Sequence, residues 1–431
     1  MNRRSLIVAL ILLCPGFGPP ASAAGWTSPS DLTRQFYHHR QGALAWSGDT
    51  KAAAHARQAR AVLLRAANEG LDPDDYRPFD EGDDQAANDA SLSRSLLAYM
   101  RDVSVGRPEL RSMDSDIGLP ARTPDLVAML DEALRHDRLT DMLDGLSPKH
   151  PGYQALKAAL PHSGDKSDIL AANMERWRWL PSVLEPDRIM VNAADSQLEL
   201  WLGGKLMLTS RVIVGRPSSP TPILRAEGAG ITVNPPWSVP RSIAAKEILP
   251  KLKRNHAWLA SHDMVLLDGP PGDPQGLRIN WRAVRAGTFP YQIRQYPGPR
   301  NPLGRIKLEL PNKFDVYLHD TPDKAAFGRS VRQLSHGCVR VEQILPLASY
   351  ALAADLSAIE RITHAVDSGD TAYMPVQKKL PVYFLYWTAV PMPEGDVKYH
   401  PDAYGRDRRL IAAMRKRQLR IASIDPPCTR G

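Results

Sequence analysis

The period of the hydrophobic pattern changes near Pro186, and this change limits the possible folds more than any other feature. Before Pro186, apolar residues recur every three or four positions, as in Ser91 to Val105 and Pro124 to His136, which predicts amphipathic helices. After it they alternate with polar residues, as in Leu198 to Leu202, which predicts strands. We therefore expect an α+β fold, with a helical part first and a β-rich part second.

The same pattern gives the expected organisation of the chain. We predict a signal peptide over 1–23, a helical domain over 26–166, a connecting helix over 167–185, a β-rich domain over 186–390 and a C-terminal extension over 391–431. The Pro-, Gly- and Trp-rich stretch 235–300 is predicted to be an inserted subdomain, because ordered connections of that length are usually functional.

Single elements can also be predicted. Thr50 is expected to cap a helical run that stops at Gly70, and the acidic segment Asp80 to Asp89 is expected to be a solvated connection. The glycine pair after Leu202 predicts a hairpin turn. Further strands are predicted at Ile231 to Asn234, Arg305 to Leu310, Asp315 to His319 and Val382 to Thr388, and helices at Asp168 to Leu180 and Gln343 to Asp355.

The first residues have the composition of an export signal. Arg3 and Arg4 precede the apolar run Ser5 to Leu13, and Ala21 to Ala23 provides small residues for cleavage. A retained membrane anchor is the competing reading, but the run is well short of the ~20 apolar residues that a spanning helix needs. We expect an exported protein.

Charge is distributed unevenly along the chain. The whole sequence carries a formal charge of +8, to which residues 1–25 contribute +2, residues 26–170 contribute −6 and residues 171–431 contribute +12. A basic second half suits a polyanionic or carboxylate-rich partner. Nucleic acid is not expected as a partner, because the chain has an export signal and no recognisable nucleic-acid-binding motif.

One cysteine lies in a setting that suits catalysis. Cys338 stands between His336 and Arg340, and His319 lies 19 residues upstream at the end of an alternating run. A thiolate is the nucleophilic form of cysteine, and a neighbouring imidazole stabilises it. We predict that Cys338 is a nucleophile, that His319 is its base, and that the two form an ion pair.

Neighbouring residues have expected supporting roles. Gly337 allows a sharp turn that would direct the amides of Gly337 and Cys338 at an oxyanion, and Tyr317 is a candidate additional donor. Ser335 either orients an imidazole or caps a turn. His336 is expected to fix the loop by hydrogen bonding.

Other readings of these residues stay open. Arg340 either binds a substrate carboxylate or pairs with an internal acid. A zinc site built from His319, His336 and Cys338 is possible in principle, although no supporting metal motif occurs. In an oxidising compartment Cys338 would instead form a disulfide with Cys428.

The segments Tyr317 to Pro322 and Ser335 to Arg340 resemble the catalytic signature of the L,D-transpeptidases, cysteine enzymes that remodel bacterial peptidoglycan. Val214 to Pro217 resembles an early strand and loop of that fold. Asn234 to Trp237 resembles the entrance to the capping subdomain of the large periplasmic subfamily. The chain departs from that subfamily in one respect, because only the short segment His162 to Ser167 stands where a peptidoglycan-binding module is common.

The resemblance implies a helical scaffold domain, a β-rich catalytic domain and a capping subdomain over 235–300, in the periplasm. It implies 3→3 cross-linking of peptidoglycan through a Cys338 thioester with release of D-alanine, tetrapeptide stems as donor and acceptor, substrate contacts at Arg340 and Trp237, inhibition by carbapenems and no metal or organic cofactor. Hydrolysis, D-amino-acid exchange and protein attachment by the same acyl-enzyme are alternatives, and so is a non-catalytic wall-binding scaffold.

Overall fold

The computed structural model describes residues 27–80, 82–352 and 356–422. The predicted signal peptide, Cys428 and the end of the helix predicted to reach Asp355 lie outside the described residues. No described helix combines the length and the apolar character that crossing a membrane would require.

The first part of the chain is helical, as the sequence predicts. A core that includes Phe36, Leu96 and Leu130 holds these helices together. The α-helices are Pro29–His39, Thr50–Leu64, Gln85–Val105, Pro108–Arg111, Leu126–Arg135, Leu139–Asp144 and Pro151–Ala159, with 3-10 turns at Ala66–Glu69, Pro73–Tyr76, Leu160–His162 and Gly164–Lys166.

Two local predictions in this part are wrong. The residue that caps the second helix is Asp49, whose carboxylate accepts a hydrogen bond from the Ala52 amide, and Thr50 is the first helical residue. Asp89 is not in a solvated connection. It is buried on the helix Gln85–Val105, where its carboxylate accepts the amides of Ala45 and Trp46 at 2.8 Å each, which satisfies the buried charge.

The connecting helix Ser167–Arg178 joins the helical part to the β-rich part. Trp177 on this helix stacks between His150 and Trp387, with ring centroids 4.3 and 3.9 Å away. Because His150 belongs to the helical part and Trp387 follows a strand, this stack attaches the two parts to each other through buried aromatic surface.

The second part is built on a 12-stranded sheet of described residues. Gln333–Ser335 pairs with Lys205–Gly215 beside the main path of the sheet. The strand order on that path is Ile117–Gly118, Ile223–Glu227, Pro381–Leu385, Arg188–Asn192, Gln197–Leu202, Lys205–Gly215, Val339–Val341, Leu318–His319, Ile306–Glu309, Gly230–Val233 and Ala372–Pro375.

Each of the strands predicted above is found, with ends shifted by up to three residues. The hairpin turn at Gly203 and Gly204 is confirmed, and both residues have positive φ angles of 56° and 76°. The strand predicted from Asp315 is shorter, because Asp315 itself has φ of 53° and cannot continue an extended chain. The mixed α+β class is therefore confirmed.

The segment 235–300, called the cap below, has an apolar cluster of its own that includes Leu252, Trp281 and Ile293. Its three strands form an antiparallel sheet in the order Trp237–Ser238, Ile293–Gln295 and Met264–Leu266. Its helical segments are Arg241–Ile243, Ala244–Ile248 with π-helical bonding, Leu249–Arg254, Trp258–Ser261 and the 3-10 turn Ala286–Thr288.

The last part of the chain covers the sheet and braces it. Two helices, Ile344–Leu352 and Leu356–Ser368, follow the cysteine segment. The remaining elements are the 3-10 turn Lys324–Gly328, the hairpin of Ala389–Pro391 with Val397–Tyr399, and the helix Arg406–Ala422.

Candidate active site

A cavity of 770 Å³ lies between the cap and the sheet. It falls in the upper part of the size range of small-molecule sites. Seven of the eight site residues predicted from the sequence line this cavity, namely Trp237, Tyr317, His319, Ser335, His336, Cys338 and Arg340.

Strand pairing brings the two ends of the motif together. The strand Leu318–His319 runs parallel to Val339–Val341, with His319 opposite Arg340, so His319 and Cys338 lie on neighbouring chain segments. On its other side His319 pairs with Lys307. The sheet register thus brings residues that are 19 positions apart in sequence to one wall of the cavity.

His319 is oriented as a proton acceptor. Its Nδ1 lies 2.6 Å from the Asp320 carbonyl oxygen, and since a carbonyl can only accept, Nδ1 carries the proton. The lone pair that can accept a proton therefore lies on Nε2. Burial first, and the charge of Arg340 second, lower the pKa of His319 to about 3, so the imidazole is neutral at ordinary pH.

Cys338 is half-buried, and its Sγ donates to the Asp315 carbonyl at 3.5 Å. Burial raises the pKa of the Cys338 thiol above its ordinary value, while hydrogen bonds from the backbone and side chain of Tyr317 counteract part of the rise. The resting pair is therefore a neutral thiol and a neutral imidazole. This differs from the expected ion pair, because burial disfavours the charged form of both groups.

Tyr317 remains a hydroxyl donor, since burial raises its pKa above the ordinary tyrosine value. Its ring lies in edge contact with His319, at 5.6 Å between centroids. Lys307 Nζ stands 4.3 Å from the Tyr317 ring centroid and 2.8 Å from the Glu309 carboxylate. Lys307 thus packs over the Tyr317 ring and holds it in place. The sequence motif did not indicate a role for Lys307.

The turn that carries Cys338 is fixed by Ser335 and Thr221. Ser335 Oγ donates to the Cys338 carbonyl at 2.5 Å and accepts the Gly337 amide at 3.2 Å, so it caps the turn, and it forms no hydrogen bond with an imidazole of the described residues. Gly337 has φ of 118°, a conformation that favours glycine. The Thr221 hydroxyl donates to the Gly337 carbonyl at 2.8 Å.

This arrangement bears on the expected oxyanion donors. The Gly337 amide is already engaged by Ser335. For the Cys338 amide, no hydrogen bond occurs within the described part of the chain. Cys338 N–H and the Tyr317 hydroxyl are thus the donors near the sulfur that could serve a developing oxyanion.

The His336 imidazole contacts the cap. Its Nε2 lies 2.6 Å from Glu247 Oε1 on the cap, and Arg216 Nη2 lies 3.1 Å from the same oxygen. Burial alone would raise the pKa of Glu247, but these two partners lower it. His336 thus forms a hydrogen bond, with a partner from the cap, and its role in fixing the loop stays a prediction.

Arg340 carries an unused donor group. No carboxylate of the described residues lies within 4.0 Å of its guanidinium, and its buried Nε has no hydrogen-bond partner there. Among the described residues Arg340 therefore has no ion-pair partner within 4.0 Å, and Asp323 is the internal acid whose charge acts on it from farther away. Trp237 also lines the cavity, at the edge of the cap sheet.

The zinc alternative finds no ligand set among residues 27–80, 82–352 and 356–422, where no group of three or more His, Cys, Asp or Glu side chains is placed to hold a metal. Over the same ranges Cys338 is a free thiol. The proposed disulfide partner Cys428 lies outside them, so that alternative stays a prediction.

Several supporting groups were missed by sequence reasoning. The carbonyls of Asp315 and Asp320 hold the thiol and the imidazole, and backbone carbonyls leave no sequence signal. Tyr404, in the predicted C-terminal extension, donates to the Gly215 carbonyl at 2.6 Å, and Arg406 donates to the Thr221 carbonyl at 3.0 Å. The extension therefore braces the loop that holds the cysteine turn.

Comparisons with known proteins agree with this geometry. Residues 186–375 match the family model of the L,D-transpeptidase catalytic domain, and residues 31–160 match a family model described as a scaffold domain. A Haemophilus influenzae protein whose name assigns it provisionally to the L,D-transpeptidases is 33% identical over 287 residues. That alignment covers 65% of this chain and 58% of the relative's length.

A solved structure described as the Ldtfm–avibactam carbamoyl enzyme aligns with 48% of this chain and 51% of its own at 13% identity. Its TM-score is 0.21, which is too low to indicate a shared fold.

Proposed function

Because this chain belongs to the L,D-transpeptidase family, we propose that it forms 3→3 cross-links in peptidoglycan through a thioester on Cys338. The observation that carries the proposal is the convergence of Cys338, His319 and Tyr317 on one wall of a 770 Å³ cavity. The predicted export signal supports the periplasm as its place of action.

In the first step His319 Nε2 accepts the Cys338 proton as the sulfur attacks the carbonyl between the third and fourth residues of a tetrapeptide stem. The oxyanion is stabilised by the Cys338 amide and the Tyr317 hydroxyl. The protonated His319 then gives its proton to the departing amine, D-alanine leaves, and the acyl group remains on sulfur as a thioester.

In the second step an amine on the diaminopimelate side chain of a neighbouring stem attacks the thioester. His319 accepts a proton from this amine as the new amide bond forms. The carbon–sulfur bond breaks, and the sulfur takes this proton back from His319, so Cys338 is released as a thiol. Since the imidazole starts and ends neutral, the neutral resting pair described above suits both steps.

The identity of the acyl acceptor decides between closely related activities. Water would give an L,D-carboxypeptidase, a free D-amino acid would give exchange, and a protein amine would give attachment to the wall. The same acyl-enzyme precedes each of them. A non-catalytic wall-binding scaffold is the remaining candidate and forms no acyl-enzyme.

We predict that Cys338→Ala abolishes cross-linking, to less than about 0.1% of the wild-type rate, because the covalent route is lost. The measurement is the yield of 3→3 dimers from purified tetrapeptide muropeptides. A carbapenem should add its mass to the wild-type protein and not to the variant. Unchanged thermal unfolding serves as the control for folding, and dimers formed by the folded variant would contradict the proposal.

A further inference from the structure

The walls of the cavity carry more positive than negative groups. Arg241 and Arg294 line it from the cap, and Lys307 and Arg340 line it from the sheet. Its carboxylates are those of Glu247 and Asp315. Glu247 is occupied by Arg216 and His336, and Lys307 is paired with Glu309, so the three arginines are the cations that remain available.

Arg294 is held in a fixed position by the cap sheet. It lies in the middle strand, paired with Ser238 on one side and Val265 on the other. In the ranges that the structure describes its guanidinium forms no ion pair, and its buried Nε has no hydrogen-bond partner. A buried donor without a partner is unfavourable by itself, which is a reason to expect an acceptor from a ligand.

Arg294 on the cap wall and Arg340 on the sheet wall therefore have similar environments. Both side chains line the same cavity, and both have a buried Nε without a partner among the described residues. Arg241 stands exposed at the rim of the cap wall and forms no ion pair with those residues either. A guanidinium matches a carboxylate in charge and in its paired donors.

Resting on the proposed function, we propose that Arg294, with Arg241 at the rim, forms a second carboxylate site that binds the acyl acceptor. The donor stem must place its carbonyl at Cys338, which is two residues from Arg340. The donor therefore binds along the sheet wall of the cavity. The acceptor must then approach from the cap side. Its attacking amine shares a carbon atom with a carboxylate, and Arg294 binds that carboxylate and thereby positions the amine.

The test compares Arg294→Gln with wild type on two acceptor stems. One acceptor carries the free carboxylate beside its attacking amine, and the other carries a carboxamide there. Arg282→Gln is the matched control, because Arg282 is an exposed cap arginine outside the cavity lining. The readouts are the KM for the acceptor and the mass of the acyl-enzyme formed from the donor alone.

In the wild type and in Arg282→Gln, the carboxamide acceptor should have a KM roughly tenfold higher than the carboxylate acceptor, as expected for a lost charge-assisted hydrogen bond. In Arg294→Gln the KM for the carboxylate acceptor should rise about tenfold, and the two acceptors should become equivalent. Arg294→Lys should recover part of the preference, because it restores the charge without the planar fork.

Two results overturn this site while leaving the proposed function intact. One is equal discrimination between the acceptors in wild type and Arg294→Gln, while both form the acyl-enzyme. The other is an Arg294→Gln protein that is folded but forms no acyl-enzyme, which would place Arg294 at the donor. A wild-type protein that forms no acyl-enzyme overturns the proposed function, and this site with it.

Discussion

The environment of two residues determines the chemistry of the candidate site. Burial favours the neutral forms of both His319 and Cys338, and the Asp320 carbonyl fixes the imidazole proton on Nδ1. A base that is already neutral needs no deprotonation before it acts. The thiol, in turn, is not a free thiolate at rest, so its proton has to move during the attack on the substrate.

The pH profile of kcat/KM should reflect this arrangement. Because the pKa of His319 is lowered to about 3, its acceptor form persists well below pH 6.5, and the acid limb should lie nearer pH 4 than pH 6.5. The measurement is kcat/KM for D-alanine release between pH 4 and pH 9. An acid limb with a midpoint near 6.5 would show that His319 is solvated during the reaction.

At the scale of elements, one contact joins the cap to the cysteine turn. Glu247 belongs to the π-helical segment Ala244–Ile248 of the cap, and it accepts hydrogen bonds from His336 and Arg216 of the sheet part. These groups are partly exposed, so the contact contributes little to global stability, roughly 0.2–1 kcal/mol. Its consequence is local, because it fixes the first turns of the cap over the cavity.

Glu247→Gln should therefore loosen the start of the cap without unfolding the protein. Amide hydrogen exchange across 241–254 should become several-fold faster, while the free energy of unfolding changes by less than about 1 kcal/mol. Lys246→Gln is the matched control, since Lys246 is an exposed neighbour that forms no ion pair with the described residues. Equal exchange rates in the two variants would show that the cap is held by other contacts.

The sequence predicted elements that depend on local chemistry and missed those that depend on distant partners. The Gly203–Gly204 hairpin follows from the conformational freedom of glycine, and the motif around Cys338 pointed to residues that the cavity brings together. The burial of Asp89 and the contact of His336 with Glu247 depend on segments more than 40 residues away. No local pattern contains that information.

At the scale of the whole molecule, three titratable groups, one buried and two half-buried, couple folding to pH with opposite signs. The pKa of His319 is lowered to about 3 by burial and Arg340, and the pKa of His150 to about 4 by burial and Arg188. Burial raises the pKa of Asp195 to about 7. As the pH falls from 7 to 5, the unfolded histidines bind protons that the folded ones do not, which destabilises the fold.

Asp195 acts in the other direction over the same range. The folded protein takes up a proton on Asp195 as the pH falls below about 7, whereas the unfolded chain does so only near its ordinary value. Each group changes the free energy of unfolding by at most about 1.4 kcal/mol per pH unit. Between pH 7 and pH 5, the two histidines together should lower the free energy of unfolding by roughly 4 kcal/mol. Asp195 should offset somewhat less than about 3 kcal/mol of this loss.

Asp195→Asn should therefore make the protein more sensitive to acid. Asparagine keeps an oxygen for the Gln197 amide, which now donates to Asp195 at 3.0 Å, but it cannot take up the proton. Between pH 7.5 and pH 5, the free energy of unfolding in urea should fall by about 2 kcal/mol more in the variant than in the wild type. Because carboxylates with ordinary pKa values titrate below this range, a parallel fall in both proteins would mean that Asp195 is ionised in the folded state at pH 5 and offsets neither histidine.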